Sequence, residues 1–87
     1  MQAKTMAVDE QALDLMGLKC PLPALKTRQA LARLAPGAGL VVTCTDPLAG
    51  LDIPNLVRET GDRLEGQTAE AGVLTFRIRK AGVLDLR

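Results

Sequence analysis

The sequence predicts an α/β domain of the α+β type, a two-layer sandwich with the element order βαβαββ. Four short segments alternate apolar and polar residues, and two longer segments repeat apolar residues at helical spacing. Two amphipathic helices can cover only one face of a four-stranded sheet. Each strand–helix–strand unit predicts parallel neighbouring strands, and the last two strands predict an antiparallel hairpin, so we expect a mixed sheet.

The chain of 87 residues has the length of one small domain, which we predict at residues 11–80. Residues 1–10 show no periodicity and are predicted to form a flexible leader, and residues 81–87 a C-terminal tail containing Val83, Leu84 and Leu86. Phe76 is the only aromatic residue, so the core must consist mainly of leucine, valine, isoleucine and alanine.

The first half of the domain contains a strand and a helix. Alternation predicts the strand at Gln11–Leu15, and helical spacing predicts the helix from about Pro21 to Leu34, ended by Pro36-Gly37. Leu22 and Leu25 fall outside the apolar face of this helix, near Cys20. The apolar face itself comprises Ala24, Thr27, Leu31, Leu34 and Ala35.

A second strand is predicted at Leu40–Thr45, with Leu40, Val42 and Cys44 on the buried side. Asp46 and Asp52 each precede a helical turn, and we interpret both as N-caps rather than as general acids. The second helix is predicted to begin after Asp52 and to end at Gly61.

The last two strands are predicted to form the hairpin. Asp62–Glu70 is polar and contains Gly66, which is typical of a bulge. Ala71-Gly72 is the predicted turn, and Val73–Arg79 alternates most clearly. Its inward residues are Leu74, Phe76 and Ile78.

Composition excludes several classes of function. The chain has no histidine, so Ser/His/Asp and Cys/His catalysis are excluded and a zinc site formed by two distant cysteines is not expected. No apolar run approaches the roughly 18 residues of a membrane span, and the start carries charges in place of an apolar signal segment. We therefore expect a cytoplasmic protein whose two cysteines are thiols.

Cys20 lies where the first strand passes into the first helix. Gly17 permits the turn, and Pro21 and Pro23 lack the N–H groups that a first helical turn leaves unpaired. The positive end of a helix dipole favours thiolate, which predicts a lowered pKa for Cys20. The alternative is a small buried hydrophobic residue in a turn, which is the interpretation that we favour for Cys44.

The segment from Gly17 to Pro23 reads Gly-Leu-Lys-Cys-Pro-Leu-Pro and resembles the Cys-Pro-x-Pro signature of the TusA/SirA-like sulfur-carrier family. Four later segments occur in that family's order: Pro36-Gly37, Thr45-Asp46-Pro47, Asp52-Ile53-Pro54 and Gly72–Lys80. The resemblance covers about residues 11–80 and implies the same compact two-layer fold.

The resemblance implies that Cys20 accepts sulfane sulfur, holds it as a persulfide and passes it on. It implies a cysteine desulfurase or a rhodanese as donor, and relay or acceptor proteins of tRNA thiolation, sulfur oxidation or molybdenum-cofactor routes. Such a chain is a sulfurtransferase-type carrier rather than a stand-alone catalyst, needs no cofactor and is expected to be a monomer.

Partner docking is predicted beside Cys20, on residues that point away from the helix core or carry positive charge: Lys19, Leu22, Leu25, Lys26 and Arg33. Three alternatives remain. A thiol-redox protein requires Cys44 as resolving cysteine, and a structural interaction domain leaves Cys20 without chemistry. An RNA-binding or regulatory module would use Arg77, Arg79 and Lys80 on the open sheet face, although direct nucleic-acid binding is not expected without aromatic residues that stack on bases.

Overall fold

The computed structural model describes residues 10–81. It contains four strands and two helices in the predicted order βαβαββ. Of the predicted leader only Glu10 is described, and Val83, Leu84 and Leu86 of the predicted tail lie outside the described residues. The elements are β1 (Glu10–Leu15), α1 (Leu22–Arg33), β2 (Gly39–Cys44), α2 (Ala49–Thr60), β3 (Arg63–Glu70) and β4 (Val73–Arg79).

The sheet is mixed, with the strand order β1-β2-β4-β3. β1 and β2 are parallel neighbours, and β4 is antiparallel to both β2 and β3. The second strand–helix–strand unit does not form the predicted parallel neighbours, because β4 lies between β2 and β3. The polar strand β3 therefore occupies an edge, whereas the apolar strand β4 is central, as expected from the cost of burying polar side chains.

Both helices lie on one face of the sheet, which confirms the two-layer arrangement. α1 contacts β1 and β2, α2 contacts β3 and β4, and the helices contact each other. The core between the layers includes Leu31, Leu40, Ile53, Phe76 and Ile78, all at most 1% exposed. Val42 and Cys44 are also buried, as predicted, and Leu74 is half-buried.

The predicted apolar face of α1 is largely confirmed. Thr27, Leu31 and Leu34 are buried, and the Thr27 hydroxyl donates to the Pro23 carbonyl at 2.7 Å, so its burial leaves no unpaired donor. Ala35 is exposed, which contradicts the prediction. The helix ends at Arg33 and Leu34 is extended, so helical spacing no longer applies at Ala35.

α2 begins earlier than predicted. Its first residue is Ala49, so Asp52 lies within the first turn and Pro54 lies inside the helix. The turn that starts at Asp46 continues directly into α2, because the Asp46 carbonyl accepts from Ala49 and the Leu48 carbonyl accepts from Asp52. The prediction that Asp52 caps α2 is therefore wrong, whereas Gly61 ends the helix in a left-handed conformation as predicted.

The hairpin agrees with the sequence. The register between β3 and β4 shifts between Leu64 and Gly66, which is the predicted bulge. Ala71 and Gly72 both have positive φ, as a type I′ turn between antiparallel strands requires.

The parallel pair β1 and β2 positions the functional site. Leu15 at the end of β1 is paired with Cys44 at the end of β2. The loop after β1 and the loop after β2 therefore leave the sheet side by side, at the edge where parallel α/β folds usually bind ligands.

Candidate functional site

Cys20 is exposed in the loop between β1 and α1. Pro21 occupies the N-cap position and Pro23 the second helical position, so Cys20 precedes the helix by one residue more than predicted. The Cys20–Pro21 peptide bond is cis. The Leu22 N–H donates to the Lys19 carbonyl at 2.8 Å, which closes the turn that presents the thiol.

Two hydrogen bonds join the Cys20 loop to the loop after β2. The Gly17 N–H donates to the Thr45 hydroxyl oxygen at 3.0 Å, and the Cys20 N–H donates to the Asp46 carboxylate. Gly17 has a φ of 83°, a backbone conformation that would be strained in a residue with a side chain. The backbone on which the sulfur is carried is therefore fixed from a second element.

Asp46 does more than the sequence predicted. One carboxylate oxygen accepts the N–H of Leu48 at 3.1 Å, the local turn bond expected of an aspartate before a helix. The other oxygen accepts the N–H of Cys20. The N-cap residue of α2 is Leu48, so Asp46 is a bridge between two loops rather than a helix cap.

Asp52 faces the thiol directly. Asp52 lies in the first turn of α2, and its Oδ2 accepts a hydrogen bond from Cys20 Sγ at 3.4 Å. This contact exists because α2 begins at Ala49, which turns Asp52 towards the Cys20 loop. The prediction that Asp52 serves only as a cap is wrong.

The pKa of Cys20 is raised above the ordinary value of a thiol, which contradicts the predicted lowering. The largest cause is the hydrogen bond from the thiol to Asp52; loss of hydration and the negative charges of Asp52 and Asp46 follow. The dipole of α1 acts in the opposite direction to these charges. The site therefore favours the protonated thiol when no partner is present.

Cys44 is the buried inert thiol that the sequence predicts. It is 0% exposed at the end of β2, and burial, followed by the charge of Asp46, raises its pKa. Both cysteines are free thiols, and only Cys20 is accessible.

Exposed large apolar side chains are concentrated around this loop. Among residues 10–81, every large apolar side chain classed as exposed lies on the Cys20 loop, on the first residues of α1, or at the start of α2. We call this group the apolar collar: Met16, Leu22, Leu25, Leu48 and Leu51. Leu22 and Leu25 are 39% and 46% exposed, which confirms that they lie off the core face.

The predicted docking residues divide into near and distant groups. Lys19 is adjacent to Cys20, and Lys26 lies one turn beyond Leu22 on the exposed side of α1. Arg33 is in the last turn of α1, about 16 Å along the helix from Leu22 at about 1.5 Å per residue. A groove of about 410 Å³ between α1 and α2 is lined in part by Pro21, Leu25 and Asp52.

The open sheet face is not a uniform basic surface. Arg79 donates to both carboxylate oxygens of Glu65 at 3.2 and 3.3 Å and to the Gly37 carbonyl at 3.1 Å. This hydrogen bond to Arg79 is the largest cause of a lowered pKa for Glu65. Arg77 is exposed and Lys80 half-buried, and within residues 10–81 neither forms an ion pair, so of the three basic residues only Arg79 has its charge paired there.

Within residues 10–81, no three histidine, cysteine or acidic side chains are grouped so that they could hold a metal ion. Within the same residues, no helix is long and apolar enough to cross a membrane.

Comparison with known proteins identifies the family. The family model described as Sulfurtransferase TusA matches residues 11–80. The chain belongs to the TusA family. The sulfur carrier protein TusA of Allochromatium vinosum is 37% identical over 76 residues, which are 87% of this chain and 100% of that protein. The sulfur carrier protein TusA of Pseudomonas entomophila is 38% identical over 76 residues, which are 87% of this chain and 95% of that protein.

A solved structure supports the fold. The SirA-like protein of Desulfitobacterium hafniense superposes with a TM-score of 0.73, at 22% identity, over 82% of this chain and 97% of that one. At that identity the likeness establishes the architecture alone. The TusA assignment rests on the family model and on the sulfur carriers.

Sequence reasoning missed the acidic side chains around the TusA-family cysteine. Thr45 and Asp46 follow β2, and Asp52 follows them in α2. The signal was present, because parallel β1 and β2 bring the loops at their carboxyl ends together. Which carboxylate faces the sulfur depends on the first residue of α2, and the sequence offered two possible starts for that helix.

Proposed function

We propose that this TusA-family chain carries sulfane sulfur as a persulfide on Cys20 and passes it from a donor protein to an acceptor protein. One observation carries the proposal. The exposed thiol of Cys20 stands on a hydrogen-bonded loop inside the apolar collar, whereas Cys44 is buried. A sulfur that two proteins must reach in turn needs this kind of exposure.

The transfer balances without an oxidant or reductant. The Cys20 sulfur, as thiolate, attacks the outer sulfur of a donor persulfide, D–S–SH. The new S–S bond forms on Cys20, the donor S–S bond breaks, and its electron pair stays on the donor sulfur. That sulfur takes up the proton that Cys20 released, so Cys20–SH and D–S–SH become Cys20–S–SH and D–SH. Delivery is the same exchange with an acceptor thiol.

The partners follow from this chemistry. A cysteine desulfurase or a rhodanese presents a protein-bound persulfide and can act as donor. Relay or acceptor proteins of tRNA thiolation, sulfur oxidation or molybdenum-cofactor routes can take the sulfur onward. A reducing cytoplasm keeps Cys20 as the thiol that the exchange requires, and a monomer leaves the collar free for each partner.

Docking is proposed on Leu22 and Leu25 of the collar, with Lys19 and Lys26 adding positive charge and Arg33 acting only on a partner that extends along α1. Apolar side chains at the centre and charges at the margin are typical of interfaces between proteins. The charges mainly increase the rate of encounter, whereas the leucines contribute to affinity.

A mass measurement tests the carrier proposal. The chain is incubated with a cysteine desulfurase and cysteine, or with rhodanese and thiosulfate, and its intact mass is recorded without reductant. We expect one added sulfur on the wild type and on Cys44→Ala, and none on Cys20→Ser. An adduct that persists in Cys20→Ser, or a wild type that no donor loads, contradicts the proposal.

A further inference from the structure

We propose that Asp52, assisted by Asp46, is a positioning residue that biases Cys20 towards its unloaded thiol, so that the carrier releases sulfur readily. This inference rests on the proposed carrier function and assigns a role to two side chains of the same site. The carboxylates act on the free energy of loading, not on the bond-making step itself.

The unloaded thiol is stabilised by a specific contact. Cys20 Sγ donates to Asp52 Oδ2 at 3.4 Å, and Asp46 holds the Cys20 N–H so that the sulfur stays opposite α2. A thiolate cannot make this donation and would face two negative charges. The raised pKa of Cys20 has these same causes.

The loaded form loses this stabilisation. A persulfide ionises more readily than a thiol, so the loaded group is chiefly Cys20–S–S⁻ near neutral pH. It offers no proton to Asp52, and it adds a negative charge beside two carboxylates. Like charges at such distances disfavour the ionised form.

Both effects shift the exchange in one direction. Near neutral pH the donor persulfide is ionised as well, so the exchange converts Cys20–SH and D–S–S⁻ into Cys20–S–S⁻ and D–SH. The left side keeps the hydrogen bond to Asp52, and the right side places the anion beside the two carboxylates. The equilibrium therefore moves towards the unloaded carrier, and the same bias favours delivery to an acceptor thiol. A carrier that held its sulfur too tightly would stop the relay.

Asp52 is not required for the local structure in the way that a cap would be. Its carboxylate has one hydrogen bond to the rest of residues 10–81, the bond from Cys20, while the turn before α2 is closed by Asp46 and by backbone bonds. The remaining structural role is a favourable charge in the first turn of α2. If Asp52 only stabilises the start of α2, its replacement should leave the pH dependence of Cys20 alkylation unchanged. A role towards Cys20 predicts that this pH dependence shifts.

The experiment compares wild type with Asp52→Asn, Asp52→Glu and Glu70→Gln, using glutathione persulfide as the donor at fixed ratios to glutathione. Intact mass gives the loaded fraction, and the pH profile of Cys20 alkylation is measured on the same variants. Asp52→Glu keeps the charge, and Glu70→Gln removes one charge from the exposed end of β3, the edge strand that β4 separates from β2.

We expect Asp52→Asn to increase the loading constant about fivefold or more, the factor expected for a unit charge about 4 Å away in water. Its alkylation profile should move to lower pH, whereas Asp52→Glu and Glu70→Gln should stay close to wild type on both measurements. Melting curves identify any variant that fails to fold, and Asp52→Ser, which removes the same charge, replaces Asp52→Asn if that variant does.

The outcomes separate the two proposals. If all variants load equally and share one pH profile, the carrier function stands and the role of Asp52 is overturned. If neither wild type nor any variant loads from glutathione persulfide or from a protein donor, the carrier function fails, and the bias on loading fails with it.

Discussion

At the scale of single residues, the two cysteines differ in what raises the pKa of each thiol. For Cys20 the main cause is a hydrogen bond to the half-buried Asp52 carboxylate, and for Cys44 it is burial. A protein that approaches Cys20 can change its hydrogen bond to Asp52, whereas it cannot change the burial of Cys44 in the core. Cys20 is therefore the thiol whose reactivity a partner can control.

The first prediction concerns the acidity of these thiols. The thiolate is the species that reacts with iodoacetamide, and a raised pKa reduces the thiolate fraction at neutral pH. We expect the alkylation rate of Cys20 to rise with pH along a curve whose midpoint lies above the ordinary cysteine value of about 8.5. Cys44 should react only as fast as the chain unfolds, because it is 0% exposed.

Peptide mass spectrometry after timed alkylation measures both sites in one sample, and unfolded chain in denaturant supplies the reference midpoint. A Cys20 midpoint below that of the unfolded chain would mean that the helix dipole outweighs the two carboxylates.

At the scale of elements, the site is a junction between two loops. The Cys20 loop follows β1 and the Asp46 loop follows β2, and their adjacency comes from the parallel pairing of the two strands. Neither loop could position the thiol alone, because the Gly17 and Cys20 N–H groups find their acceptors on the other loop. The junction should therefore contribute to stability as well as to geometry.

The second prediction uses two aspartates in similar turns. Asp46 accepts the N–H two residues ahead and also that of Cys20, whereas Asp14 accepts only the N–H of Met16 two residues ahead. We expect Asp46→Ala to lower the free energy of unfolding by about 1–2 kcal/mol more than Asp14→Ala, because it loses a charged acceptor between loops. In a domain of this size that difference lowers Tm by roughly 4–16 °C.

Thermal and urea unfolding curves of the two variants measure the difference. Equal losses for Asp14→Ala and Asp46→Ala would mean that the bond to Cys20 adds no stability, and that of the two bonds between the loops only the one from Gly17 to Thr45 contributes.

The element order was predictable from sequence, and the details around the thiol were not. Alternation revealed the strands, and the glycine and proline residues between them separated the elements. The start of α2 was ambiguous, because Asp46-Pro47 and Asp52-Ile53-Pro54 both match a helix start. Choosing the second start removed Asp52 from the first turn and hid its contact with Cys20.

Periodicity also left open the order of the strands in the sheet. Alternation identifies which residues face the core, but it does not say which strands are neighbours. The polar character of β3 and the apolar character of β4 could have placed β3 at the edge, since an edge strand tolerates polar side chains on both faces.

At the scale of the whole molecule, the reactive thiol and the exposed apolar side chains lie at one end. The exposed cysteine, the two carboxylates and the apolar collar all lie on the loops after β1 and β2 or on the starts of the two helices. On the open sheet face, Arg79 is paired with Glu65. We therefore expect a protein that approaches Cys20 to contact the collar.

The last prediction tests that contact with neutral substitutions, so that the charge around Cys20 stays constant. Leu22 and Leu51 lie at the starts of α1 and α2, and are 39% and 69% exposed. Burying one leucine contributes about 1.5–3 kcal/mol, and a tenfold change in rate corresponds to about 1.4 kcal/mol. We expect Leu22→Ser and Leu51→Ser each to slow loading by a cysteine desulfurase about tenfold. Ala32→Ser, an exposed change near the end of α1, should have little effect.

Loading by glutathione persulfide should be unchanged in all three variants, because a small donor needs no docking surface. Tm should stay within a few degrees of wild type, because neither leucine is core. Stopped reactions analysed by intact mass give both rates on one set of proteins. If the protein donor loads the leucine variants as fast as wild type, it docks outside the collar; if both donors slow equally, the substitutions have disturbed Cys20 itself.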